Sequence, residues 1–257
     1  RNYEGARRGR RTEGWSTPGT SANSVLIRDR STLRERARDL VRNNAWASHA
    51  VDIYVGNAIG KGIVPNPIVE DQEEMLNLMR LWNSWCEYAD ADGHQNFYAL
   101  QSLAARNQYE AGEIFIRFRS PRANSKLEVP FQIQLLEPEM LATIQNGAVG
   151  ANKVIEGIEY SPDNRRVAYH FYKSHPQDIS NFYNKQETVR VDASEVLHLY
   201  RMQRPGQAFG VTEFAPAIML LRDLDDYDDA TIVQKKVQAC LAAFITTPAD
   251  NLPVGSN

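Results

Sequence analysis

The chain has 257 residues, 42% hydrophobic and 24% charged, with a net charge of −3, a usage that excludes a disordered protein and leaves room for one large domain or two smaller ones. Its two cysteines, Cys86 and Cys240, lack short-spaced partners, which excludes a disulfide framework and a local zinc site and points to a reducing compartment. No apolar run reaches the roughly 18 residues of a membrane span, and the opening RNYEGARRGRR lacks a signal peptide's apolar core, so a soluble intracellular product is expected.

Charge is uneven along the chain. Residues 1–44 hold 11 Arg against 5 acidic residues, whereas the remainder holds 18 basic and 27 acidic ones. The first thirty residues mix Arg, Gly, Ser, Thr and Pro without apolar period and are expected to form an extended arm. Its candidate contacts to nucleic acid, an acidic protein surface or a neighbour are Arg7, Arg8, Arg10, Arg11 and Trp15. The alternative is a solvated tail.

Thr32 with Glu35 makes a capping box that predicts a short helix interrupted at Asn43 and Asn44, followed by a second helix over Ala45–Ile59. Asp71 with Glu74 repeats that signature. Met75, Leu78, Met79, Trp82 and Trp85 follow at three- and four-residue steps, predicting a helix to about Ala89 with one core-facing stripe. Phe97–Ala111 is the next predicted helix, closed by Gly112 in a left-handed conformation. The alternating run Ile114–Arg119 predicts a strand, with Phe131–Leu136 as its partner. Gly157–Tyr160 and Arg166–Tyr172 flank the turn Ser161-Pro162-Asp163-Asn164 as a hairpin, and Val196–Tyr200 is a later strand. The fold class is therefore α+β. A final helix of roughly 30 residues, from Thr212 or Glu213 to Ile245, is predicted to extend about 45 to 50 Å. Leu220, Leu224, Tyr227, Val233, Val237, Leu241 and Phe244 form its expected apolar stripe, and Asp223, Asp225, Asp226, Asp228 and Asp229 crowd its middle turns.

Chemical motifs are sparse. Gly56-Asn-Ala-Ile-Gly60-Lys61-Gly62 is one residue short of a phosphate loop, lacks the Ser or Thr for magnesium, and follows a helix rather than a strand. Asp90-Ala91-Asp92-Gly93 imitates a calcium loop, but Tyr88 stands at the first ligand position, so a helix-capping loop is the better account. His49, His94, His170, His175 and His198 show no metal-site spacing, and no serine sits in a nucleophile elbow. Neither a metal nor another cofactor is expected. The acidic run has three readings: a solvated helix face, an unspecific divalent-cation binder, or a wall whose negative charge repels DNA phosphates or meets a neighbouring subunit.

Several blocks, in order over almost the whole chain, resemble the portal proteins of lambda-like tailed phages. They include Arg7-Arg8-Gly9-Arg10-Arg11 near Trp15, Ser21-Ala22-Asn23, the segment Arg38–Asn44, Ala89-Asp90-Ala91-Asp92-Gly93 and Gln134–Pro138. Arg165–Tyr169, Glu195–Leu199, Arg204-Pro205-Gly206-Gln207 and Leu224-Asp225-Asp226-Tyr227 continue the match. The resemblance implies a portal-type α+β subunit of a dodecameric ring at one capsid vertex, assembled in the host cytoplasm and conducting double-stranded DNA during packaging and ejection. It implies no catalytic residues. Terminase, the major capsid protein and scaffold, and head-completion and tail proteins are the implied partners, and no membrane is. By this analogy residues 1–44 are a basic arm with a short helix, 45–210 a wing-like helix-plus-sheet domain, 211–247 a stem-like helix and 248–257 the start of a clip. The missing initiator Met and the early stop make a trimmed chain the expectation. In a ring, Lys235 and Lys236 become candidate partners for a neighbour's aspartates. The competing functions are a monomeric nucleic-acid-processing enzyme and a capsid adaptor without a conduit.

Overall fold

The structure, a computed structural model, describes residues 6, 7, 9–17, 19–121, 125–178 and 187–240. Its elements in order are α1 (Ala22–Asn43), α2 (Ala45–Ala58), α3 (Gln72–Tyr88), α4 (Phe97–Ala111), β1 (Glu113–Arg119), β2 (Gln132–Leu136), β3 (Gly147–Val149), β4 (Asn152–Ile155), β5 (Ile158–Tyr160), β6 (Arg166–Tyr172), β7 (Thr188–Asp192), β8 (Val196–Tyr200) and α5 (Ile218–Cys240). The mixed α+β class expected from the sequence is the one observed.

Helix α1 differs from its expectation. It starts ten residues before Thr32, at Ala22, and is capped by Ser21, whose hydroxyl accepts the Ser24 N–H. Residues 22–30 are therefore helical rather than extended. The face that α1 buries comprises Arg30, Arg34, Ala37 and Val41, a helical stripe whose first two members are cations. That composition disguised a core-facing helix as a solvated arm. The break at Asn44 is as expected. Its backbone is extended (φ −112°, ψ 120°), and its side chain, 3% exposed, caps α2 by accepting the Ala47 N–H.

Asp71 and Asn96 cap α3 and α4, and Gly112 (φ +91°) ends α4 in the left-handed region. A Cβ on Gly112 would stand 2.7 Å from the Cα of Val211, and one on Gly210 would overlap the Gly112 carbonyl. Two bare backbones therefore cross where the chain heads for α5. The loop after α3 is tied by Asp90, whose carboxylate accepts the N–H groups of Asp92, His94 and Gln95. Its calcium-like sequence thus holds the loop's own backbone, while the cap of α4 is Asn96.

Strands β2, β1 and β8 form an antiparallel sheet in that order, and β3 to β7 form a second antiparallel meander. The predicted β1–β2 pairing and the β5–β6 hairpin are present. Strand β8 leaves that hairpin's sheet to pair with β1. The core lies between the two sheets, where Phe115, Leu136, Ile158, Phe171, Val191 and Phe209 meet, with Phe115 edge-on to Phe171 at 5.2 Å. Ala37, Val41, Ala47, Val51, Phe214 and Ile218 build a second cluster that joins α1, α2 and the root of α5. Among the described residues no helix is long and apolar enough to cross a membrane.

Candidate functional site

Two features stand out: a charged seam beneath α1 and the helix it roots, α5. The seam centres on Glu113, 1% exposed at the start of β1. Its carboxylate accepts the Gly210 N–H at 2.8 Å, contacts His198 Nε2 at 2.9 Å, and faces the guanidinium groups of Arg30 and Arg34 at 3.7 and 3.8 Å. Arg30 also donates to Glu156 at 3.2 Å and stacks 3.7 Å over the Phe209 ring. Arg34 donates through Nε to Glu139 at 2.7 Å, and Arg38 grips the same carboxylate with both Nη atoms. Glu156 reaches its partner from a left-handed backbone, φ 51°.

These contacts converge on the segment 204–210, the last stretch before α5. Asn23 donates to the Gly206 carbonyl and accepts the Ala208 N–H. Gln207 folds the loop on itself by accepting from Gln203 and Arg204 and donating to the Phe209 carbonyl. Arg166 donates to the Ala208 carbonyl and the Tyr200 hydroxyl. Asn23, Arg166, His198 and Gln207 thus form one node, although up to 185 residues separate bonded partners.

Burial drives the His198 imidazole below its ordinary pKa of 6.5 despite the Glu113 carboxylate. The ring is therefore neutral, with Nε2–H donating to Glu113 and Nδ1 accepting from Arg166 at 3.2 Å. Burial pushes the Glu113 carboxyl up, but His198, Arg30 and the Gly210 N–H outweigh it and hold the group below its ordinary 4.5. Both folded-state values lie under the unfolded ones, so both contributions are present at neutral pH and are lost as pH falls. The expected result is a urea midpoint that is flat above pH 6.5, drops as His198 is forced to protonate, and drops further below pH 4.5. His198→Gln should remove the first drop and leave the second.

Helix α5 is rooted by Ile218, Leu221 and Phe214, the last edge-on to Tyr109 at 5.4 Å. Past this root, a bond from Asn44 to Asp225 at 3.3 Å ties α5 to the body. Asp223, Asp225, Asp226, Asp228 and Asp229 are all exposed, as are Lys235 and Lys236. Leu220 is 70% exposed, Tyr227 66% and Val233 58%. The single narrow stripe expected from the sequence is absent. At about 100° per residue, Leu220, Leu224 and Tyr227 cluster on one side and Val233 and Val237 about 130° away. Asp225, Asp226, Asp228 and Asp229 spread over the side opposite the first group. The described helix ends at Cys240, giving 23 residues and about 35 Å. Leu241, Phe244 and the expected 248–257 clip segment lie outside the described residues.

The arm candidates Arg7, Arg10, Arg11 and Trp15 are exposed, Trp15 by 70%, on a short turn over 10–12 held by Thr12 bonds to Arg7 and Gly9. Arg8 lies outside the described residues. Sequence reasoning missed Arg30, Arg34 and Arg38, although their four-residue spacing signals one helix face. Glu137, Glu139 and His175 bring ligand atoms within 4.8 Å of one another, but Arg34 and Arg38 already neutralise these carboxylates.

A family model described as phage portal protein, lambda family, matches residues 8–257. The chain is 24% identical over 263 residues to a probable portal protein of Halomonas phage phiHAP-1, covering 97% of this chain and 50% of that protein. It is 19% identical over 255 residues to portal protein B of Escherichia phage lambda, covering 92% of this chain and 47% of that one. The chain spans about half the length of these relatives.

Proposed function

The chain belongs to the lambda family of phage portal proteins, and from that premise we propose that it forms the wing and first stem helix of a portal subunit in a tailed-phage virion. In this reading the subunit is a structural component rather than an enzyme. Copies close into a ring, a dodecamer by family resemblance, whose channel carries double-stranded DNA at the capsid vertex. The ring docks terminase during packaging and head-completion or tail proteins afterwards, and meets the major capsid protein and scaffold during assembly in the host cytoplasm.

The observation that carries this reading is α5: a helix anchored over its first turn, with its remaining apolar side chains in water. Burying one such side chain contributes about 1.5–3 kcal/mol, so the uncovered residues favour association. Two apolar groups on different sides fit two neighbours, one on each flank, which is the pattern of a heterologous ring contact. The acidic side opposite Leu220, Leu224 and Tyr227 is then the proposed channel wall, repelling phosphates so that DNA slides without sticking. Replacing Leu220, Leu224 and Tyr227 together by serine tests the assembly role. Far-ultraviolet circular dichroism should keep the parent's signal for the body, while sedimentation should lose the oligomer. An oligomer of unchanged size contradicts the reading.

Arm and helix α1 separate cleanly in this scheme. Deleting residues 1–19 should leave thermal unfolding within about 2 °C of the parent, because none of the described residues among them is buried. Deleting residues 1–30 removes Asn23 and Arg30 and should destabilise the body outright. Equal melting temperatures for the two deletions would contradict the role of the seam. Reduced capsid incorporation of the shorter deletion would assign Arg7, Arg8, Arg10, Arg11 and Trp15 to contacts with a neighbour.

A further inference from the structure

A cleft of about 410 Å³ opens between the start of α1, strands β4 to β6 and the 204–210 loop. Two cations, Arg166 and Lys153, line it, and no aspartate or glutamate does so among the described residues. Arg166 spends its hydrogen bonds on neutral groups: the Tyr169 and Tyr200 hydroxyls at 3.3 and 2.7 Å, His198 Nδ1 at 3.2 Å and the Ala208 carbonyl at 3.2 Å. Its positive charge is thus positioned but not neutralised at first hand, since Glu113 stands behind the neutral His198 ring. The walls are largely apolar, contributed by Ile27, Ile155, Met202 and Phe209.

We propose that this cleft is a receptor for the carboxylate of an aspartate or glutamate side chain carried on an acidic segment of a partner polypeptide. Arg166, whose Nη hydrogens are held by two tyrosines, His198 and a carbonyl, offers a carboxylate a fixed positive charge rather than a free donor fork. Lys153 supplies the second charge from β4. Apolar walls suit the methylene stem of such a side chain and the apolar neighbours of a peptide. They do not suit a phosphodiester, which stays hydrated and is held by cations at exposed tips. Satisfying an uncompensated, half-buried cation favours binding more than an equivalent contact on open surface. The site lies apart from α5, so it goes beyond the channel reading.

The experiment uses the full chain and a fluorescein-labelled octapeptide of alternating Glu and Leu, followed by anisotropy. Saturable binding is expected, weakened about tenfold or more by Lys153→Glu and by Met202→Glu, which place a negative charge at the wall without touching the buried node. Because Arg166 also supports the fold, Arg166→Lys should lower the urea midpoint, so the binding test rests on Lys153→Glu and Met202→Glu, whose midpoints should match the parent's. Inorganic phosphate at millimolar concentration should not displace the peptide. Absence of saturable binding, unchanged affinity in both glutamate variants, or tighter binding of duplex DNA than of the peptide at matched charge and salt would overturn the proposal.

Discussion

Exchanging Glu113 for leucine is expected to lower the stability of the body by about 3–5 kcal/mol, read as a fall in the urea midpoint at unchanged slope. The reason is the number of groups that one carboxylate satisfies. Arg30 loses the partner it faces at 3.7 Å, and the Gly210 N–H and His198 Nε2 lose their acceptor. All of this happens at a site 1% exposed, where water does not replace what is removed. Glu113→Gln keeps an acceptor oxygen and removes only the charge, so it should fall between the parent and leucine. A loss below about 1 kcal/mol for leucine would mean that the clamp on segment 204–210 does not depend on the seam. The effect should reach α5, because Gly210 lies eight residues before its first residue.

The second large effect is expected from Asp225→Asn, Asp226→Asn, Asp228→Asn and Asp229→Asn in one chain. Asp225 with Asp229, Asp225 with Asp228 and Asp226 with Asp229 are like charges at helical spacing, each pair opposing the helix by a few tenths of a kcal/mol. Their removal should leave the isolated chain at least as stable as the parent. If the acidic side is a channel wall or a contact with a neighbour's Lys235 and Lys236, particle yield or packaged DNA length should nevertheless fall on the order of tenfold. The opposite signs of the two effects make the experiment decisive. An unchanged yield of DNA-filled particles would return the run to a solvated helix face.

Much of the fold was legible in the sequence where local rules agree with burial. Asp71 and Gly112 sit where caps belong, and the alternation of Ile114–Arg119 matches β1. The N-terminal turns of helix α1 carry no hydrophobic signal because its core-facing positions hold Arg30 and Arg34, whose partners are buried carboxylates. Strands β3 and β4 have three and four residues, too short for alternation to register. In α5 the three- and four-residue steps suggest one stripe, yet helical geometry places Leu220, Leu224 and Tyr227 apart from Val233 and Val237. The node was present only as separate blocks, Ser21-Ala22-Asn23, Arg165–Tyr169, Glu195–Leu199 and Arg204-Pro205-Gly206-Gln207. No spacing rule joins residues that meet across 185 positions. Once folded, each block supplies one grip on the segment leading into α5.

In the proposed assembly α5 becomes a stem helix when copies of the chain close around a channel. A symmetric reconstruction of particles formed by the full-length protein tests it most directly. The expected result is a closed ring whose axial channel is surrounded by α5, with the uncovered Leu220, Leu224, Tyr227, Val233 and Val237 buried against neighbouring copies. Monomers under assembly conditions, or a ring in which α5 lies on the outer rim with those side chains still in water, would contradict it.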